Sequence, residues 1–139
     1  MSDPFDLRRF VVAQQDVYDT ALNELRAGRK TSHWMWFIFP QIAGLGRSAT
    51  AQKYAINSLA EAEAYLAHPV LGPRARECAR VLIELEGRTA PEIFGTVDAQ
   101  KLRSSMTLFA RAAGKPSPFG EVLARYFDGA EDPATLQRL

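Results

Sequence analysis

Cysteine is almost absent from this chain: Cys78 is the only one in 139 residues, so an internal disulfide and a multi-cysteine metal site are both excluded. Histidine is nearly as scarce. His33 and His68 lie far apart with no ligand spacing, so no zinc or other metal is expected. Long apolar runs are missing too. The longest is six residues, WMWFIF at 34–39, where a membrane span needs about 20. Charge of one sign is not in excess: 17 − 16 leaves +1, which gives no electrostatic footprint for nucleic acid or a membrane surface. The opening MSDPFDLRRF is not basic-then-apolar and does not read as a secretion signal, so the expected location is the cytoplasm. No Walker loop, dinucleotide fingerprint or metalloprotease motif occurs, and no cofactor is expected. No Asn-Gly or Asp-Gly pair sits between alternating apolar runs, so hairpins are not expected either.

What remains is an ordinary globular composition, 47% apolar and 24% charged. Its punctuation is helical. Asp3-Pro4 is a helix start, and Leu7, Phe10, Val11, Tyr18, Ala21, Leu22 and Leu25 follow at spacings of three and four until Gly28. This pattern predicts one helix over 4–27. Ser48 predicts a short helix through Ile56, and Ser58 with Glu61 a capping box for another to about Ala67. Pro69 and Pro73 open a longer helix bearing Cys78 on its apolar side, where a thiol acts as a small hydrophobe. Thr89 with Glu92, Thr96 or Asp98, Ser117-Pro118 and Asp132-Pro133 start the rest, several of them closed by glycines. His68, directly before Pro69, reads as a helix-start residue. The expectation is one all-α domain over 1–139, with six to eight helices joined by short connections. Residues 31–47 have no helical period and form an irregular aromatic segment, with 34–42 as a possible lone strand.

Two segments break their local rules. In the first, Ser32, His33, Trp34, Met35, Trp36 and Gln41 put two indoles, an imidazole and an amide close together. Flat amphipathic surfaces suit stacking on a ring, and His33 is the residue type that titrates near neutrality. The bland reading is a buried aromatic plug. In the second, Asp98, Lys101, Arg103, Ser104, Ser105 and Thr107 crowd a helix interior where hydroxyls are poor residues. Lys101, Ser104, Ser105 and Leu108 share a face, with Asp98 one turn earlier. A lysine beside hydroxyls can hold a phosphate or carboxylate; equally, small serines let helices approach. Gln14 falls on the apolar stripe of helix one, as a core network member or a pocket wall. Arg26, Arg29 and Lys30 read as a solvated helix end, and Gly44-Leu45-Gly46 as a turn.

The stretches FDLRRFVVAQQDVYD, SHWMWFIFPQ (32–41) and KLRSSMTLF (101–109) resemble a bacterial family described as domain of unknown function 1810, some of whose members carry the label calpastatin. The resemblance implies a small, mostly helical cytoplasmic domain without an assigned activity. Calpastatins are long and disordered, so that label has no physical content for a folded composition. A fainter likeness, a polar lysine-bearing helix, is to the NADAR domains, which act on ADP-ribose-linked nucleobases.

Two functional readings stay open. One is an enzyme or pocket protein for a small nucleotide-like or ADP-ribose-like anion, held between the 32–41 segment and the 98–109 helix. There Trp34, Trp36, Gln41, Arg103, Ser104 and Ser105 would bind, and His33, Asp98 and Lys101 would carry any chemistry. The other is a non-catalytic structural or protein-interaction domain. The first requires His33, Trp34 or Trp36 to face Lys101 and Ser105 across an accessible cleft.

Overall fold

The apolar stripe that opens the chain is carried by two helices rather than one. The computed structural model describes residues 3–139, and in it α1 (Arg8–Gln15) and α2 (Tyr18–Ala27) meet at a joint over 16–17. Val17 leaves the helical region (φ −121°, ψ −14°), and its N–H donates to Gln14 O at 3.1 Å. The stripe keeps its phase across this joint, because Leu7, Phe10, Gln14, Tyr18, Ala21 and Leu25 are all buried at spacings of three and four. Periodicity therefore could not reveal the break. Val11, expected in the core, is only half-buried. The helix also starts later than Asp3-Pro4 implies. Residues 4–6 turn, with Asp6 at φ +51°, and the Asp3 carboxylate accepts from the N–H groups of Leu7 (2.8 Å) and Arg8 (3.1 Å). It thus satisfies orphan donors of a helix that begins one turn downstream.

Eight further helices follow among the described residues: α3 (Met35–Ile38), α4 (Ala49–Lys53), α5 (Leu59–Ala67), α6 (Leu71–Glu84), α7 (Ala90–Phe94), α8 (Thr96–Ala113), α9 (Pro118–Phe127) and α10 (Pro133–Leu136). The fold is all-α, with ten helices instead of six to eight; the split of helix one and the single turn α3 account for the excess. Most starts are capped as the sequence implies. Side chains of Ser48, Ser58, Ser117 and Asp132 accept from the N–H three residues on, and Thr89 with Glu92 closes a full capping box. His68 Nδ1 accepts from Val70 N at 3.1 Å and Leu71 N at 3.3 Å, which makes it a helix-start residue.

The aromatic segment does not form a strand over 34–42. It makes the turn α3 and then a single parallel bridge between Ile42 and Ile56. Ile56 N–H donates to Gln41 O at 2.8 Å, and Ala43 N–H to Ile56 O at 2.7 Å. That bridge claims Ile56, so α4 stops at Lys53 instead of running on to 56.

The longest helix, α8, packs against α5, α7, α9 and α10, while α6 lies against α2, α5 and α9. A chain of aromatic contacts runs through the core: Phe10 to Tyr65 (5.2 Å between centroids), Tyr65 to Phe109 (5.0 Å) and Phe109 to Phe119 (5.6 Å). Full burial of such side chains stabilises by roughly 1.5–3 kcal/mol each. Cys78 is sealed in the same core. Gln14 is a core network member: its Nε2 donates to Phe37 O (2.8 Å) and Tyr65 Oη (2.9 Å), and its Oε1 accepts from Arg74 (3.4 Å). Arg9 ties the chain start to the α4–α5 junction. Its guanidinium donates to the carbonyls of Phe5, Asp6, Lys53 and Ala55 and to Glu61.

Candidate functional site

The aromatic segment reaches α8 through its tryptophans, and each indole carries a lysine. Lys101 Nζ lies 4.3 Å from the centroid of a Trp36 ring, and Lys30 Nζ lies 5.2 Å from a Trp34 ring. A cation over an indole face is attracted by the ring quadrupole. Both lysines bind one carboxylate: Asp98 Oδ2 is 2.9 Å from Lys30 and Oδ1 is 3.0 Å from Lys101. Burial pushes the Asp98 carboxyl up, but hydrogen bonds and charge from Lys30 and Lys101 outweigh it and hold the group below its ordinary value. Two ammonium groups minus one carboxylate leave this cluster with a charge of +1.

Lys30 does not belong to a solvated helix end. Its side chain is 8% exposed, and its backbone N–H donates to Ile93 O at 2.7 Å, which turns the residue inward against α7. Gly28, in the left-handed conformation (φ +75°), makes that reversal after α2 possible. Glu24 is the other residue that composition alone does not single out. Its carboxylate accepts from the N–H groups of Thr31 (2.7 Å) and Ser32 (3.0 Å), from the Ser32 hydroxyl, and from Trp34 Nε1 (3.0 Å). Burial raises the Glu24 carboxyl, yet these donors together bring it down to about 2. Glu24 is the anchor that sets the 31–34 loop and hence both indoles. A glutamate seven residues before a Thr-Ser pair, across a helix-ending glycine, is a sequence signal for such an anchor.

The two tryptophans have different fates. Trp34 is 1% exposed, with its one N–H spent on Glu24; it is a core residue. Trp36 is partly exposed and forms a wall of a cavity of about 180 Å³, together with Gln41, Gly46, Ala51, Gln52 and Tyr54. Gly46 makes this wall close. A Cβ there would meet Ala51 Cβ at 2.5 Å and Trp36 Cη2 at 3.2 Å, so the 44–46 turn is more than punctuation. Tyr54 is held edge-on to Phe37, with centroids 4.8 Å apart. The cavity takes Trp36 and Gln41 from the 32–41 segment but no residue of the 98–109 helix; its second side is α4 and the residues after it.

The hydroxyl-rich stretch of α8 divides into two faces. Lys101 turns to Trp36, and Asp98 pairs with Lys101 and with Lys30, which lies over Trp34. Arg103, Ser104 and Thr107 turn to the C-terminal segment: Arg103 donates to Ala130 O and Glu131 O, Ser104 Oγ to Asp132 Oδ2 at 2.9 Å, and Thr107 Oγ1 accepts from Asp132 N at 2.9 Å. Ser105 lies in the core at 0% exposure, and its Oγ has no hydrogen-bond partner among the described residues. His33 is exposed and does not line the cavity. Trp36 and Lys101 are therefore in direct contact instead of facing each other across a cleft, Ser105 is sealed away from both, and Arg103 and Ser104 are not part of that contact. The cleft expected between the 32–41 segment and the 98–109 helix is replaced by a cavity on the α4 side of Trp36. No group of three or more His, Cys, Asp or Glu suited to a metal occurs among the described residues. No helix there is long and apolar enough to cross a membrane.

Among curated proteins none matches the chain. Among solved structures, the crystal structure of the conserved hypothetical protein Rv1873 from Mycobacterium tuberculosis is similar at 55% identity and a TM-score of 0.96, covering 99% of this chain and 98% of that one. The profile of a family described as protein of unknown function (DUF1810) matches residues 4–139. The chain belongs to that family.

Proposed function

We propose that this chain is a single-domain cytoplasmic protein that binds a small nucleotide-like or ADP-ribose-like anion at Trp36. The observation that carries this reading is the doubly used indole: Lys101 lies over its ring at 4.3 Å, and the same residue walls the cavity of about 180 Å³. A cavity of that size takes the ring of such a ligand and not the whole of it, since drug-sized ligands occupy about 300–1,000 Å³. The sugar and phosphates then lie outside, within reach of the surplus cation of the Lys30–Asp98–Lys101 cluster. If chemistry follows binding, Asp98 is a proton acceptor rather than a donor, because its two lysines keep it ionised. Exposed His33 is the remaining candidate for proton transfer.

One observation favours the second reading, a non-catalytic interaction domain. Trp34, Arg103 and Ser104 all have structural partners, so much of the unusual composition is explained by packing alone. Calorimetry with AMP and ADP-ribose separates the two. The ligand-binding reading expects saturable binding, and expects Lys101→Ala to weaken it about tenfold, the loss of one charge-assisted contact. Stability should change little, because Lys30 still pairs with Asp98 and an i,i+3 pair contributes only about 0.2–0.5 kcal/mol. Absence of binding by both ligands at millimolar concentration favours the interaction domain.

A further inference from the structure

The chain has two glutamines buried to nine-tenths or more, and the fold treats them differently. The carboxamide of Gln14 is fully bonded, to Phe37, Tyr65 and Arg74. Gln41 is 8% exposed. Its backbone carbonyl is taken by Ile56, but no group among the described residues bonds to its carboxamide. Ser105 Oγ is the one fully enclosed side-chain polar atom there without a partner. The Gln41 carboxamide is therefore not fully enclosed, and Gln41 is one of the residues that line the Trp36 cavity. The neighbouring amides are exposed and each spends its nitrogen on the protein: Gln52 Nε2 donates to Arg47 O at 3.1 Å, and Asn57 Nδ2 to Glu61 Oε1 at 3.2 Å.

Because the carboxamide makes no bond to the protein and is not fully enclosed, its donor and acceptor are free for a ligand to take up in place of water. Here it stands among rigid planar walls, Trp36 and Tyr54, in a space whose tightness Gly46 sets. An apolar cavity of about 150 Å³ holds benzene, so about 180 Å³ open on one side suits one or two fused rings. A carboxamide presents a donor and an acceptor in one plane. The group that satisfies both is a coplanar acceptor–donor pair, as a glutamine meets on an adenine edge. A phosphate or carboxylate satisfies only the N–H₂ and sets its charge against Oε1.

We propose that the cavity binds a one- or two-ring planar molecule bearing an amide or amidine edge, and that Gln41 is the residue that reads this edge. The proposal rests on Trp36 being the ring-binding wall and adds the chemistry of the ring.

The test uses four probes on the full chain: nicotinamide and adenine methylated at N9, which carry the pair, and 3-acetylpyridine and purine methylated at N9, which match them in shape but lack the amino group. Nicotinamide or the methylated adenine should bind at least about tenfold more tightly than its partner. Gln41→Met should melt at or above the wild-type temperature, because no protein hydrogen bond is lost. It should also bind each pair of probes alike. Three outcomes overturn the proposal: equal affinity of nicotinamide and 3-acetylpyridine and of the methylated adenine and purine, no binding of any probe at millimolar concentration, or a Gln41→Met chain that melts several degrees lower, which reveals a structural partner. If ADP-ribose still binds in a Lys101-dependent way while the free rings fail, the edge reading falls and the anion site stands. If the rings bind and phosphate adds no affinity, the edge reading stands and the anion site falls.

Discussion

Replacing Asp132 by alanine removes the hub that fastens the chain end to α8. Its carboxylate, buried with 4% of the residue exposed, accepts four hydrogen bonds: from Gln100 Nε2 (3.2 Å), Ser104 Oγ (2.9 Å), Thr135 N (3.1 Å) and Thr135 Oγ1 (2.6 Å). Two of these donors recover without it. Gln100 is exposed and turns to water, and Ser104 Oγ keeps its contact with Gln100 O at 3.1 Å. The other two do not, because Thr135 is 0% exposed. Each stranded donor costs about 1–3 kcal/mol, so Asp132→Ala should destabilise by about 3–5 kcal/mol. That is a large part of the roughly 5–15 kcal/mol that holds a domain together. The midpoint of urea unfolding should fall at unchanged slope, and the melting temperature by on the order of 10 °C. Ser104→Ala should cost only about 1 kcal/mol, and the double variant should show coupling, because the two side chains touch. A change below about 0.5 kcal/mol for Asp132→Ala, the size of an ordinary surface substitution, would refute the hub.

Glu24 gives a pH signature. Its folded value, about 2, lies below its ordinary 4.5, so its contribution is complete above the ordinary value and is lost as pH falls toward 2. Glu24→Gln should therefore cost on the order of 1 kcal/mol at pH 7 and nothing near pH 2, read from unfolding curves across that range. Cys78 is sealed and its thiol is pushed up to about 12 by burial; a thiol reagent at neutral pH should label it only at the rate of unfolding, and fast labelling of the native chain would contradict its burial. Gly46→Ala should cost about 1–3 kcal/mol by overpacking, since Ala51 Cβ stands 2.5 Å from the new methyl, and should shrink the cavity; an unchanged melting temperature would show that the turn yields freely.

Helix starts were legible because each depends on one side chain and an N–H three residues away. Thr89 and Glu92 show this most fully, with both halves of the capping box formed. At Ser58 only half of the expected box appears. Ser58 caps Glu61, but the Glu61 carboxylate goes to Asn57 and Arg9 instead, drawn by a guanidinium far away in sequence. The joint between α1 and α2 was illegible for the opposite reason: a break that preserves the phase of the buried stripe leaves no mark on the pattern. Long-range partners decided the site as well. Trp36, Gln41 and Lys101 were visible as residue types, whereas Lys30 looked like an ordinary helix-end cation. Only Gly28 and the Ile93 carbonyl turn it toward Asp98. Tyr54 and Gly46 entered the cavity wall through the Ile42–Ile56 bridge, a contact that no local period announces.

The composition of α8 invites a single explanation, yet its unusual residues serve two tasks set by position on the helix. Asp98 and Lys101 occupy one strip, while Gln100, Arg103, Ser104 and Thr107, spaced by three and four, occupy the next. The first strip is charged, partly exposed and in contact with Trp36 through Lys101. The second is spent on the chain end, where Asp132 N–H and the carbonyls of Ala130 and Glu131 are satisfied by α8 side chains. A helix interior tolerates hydroxyls when a non-helical segment lies against it, because that segment has backbone groups with no other partner. The two tasks still meet in space. Once Asp132 fixes α10, Arg138 is carried over the 44–46 turn and its Nη2 donates to Gly44 O at 3.3 Å. Gly44 holds φ +98°, a conformation L side chains rarely adopt, and a Cβ there would lie 2.6 Å from Arg138 Nε. The structural strip of α8 thus braces the rim of the cavity from the far end of the chain, while the charged strip supplies the cation over its indole wall.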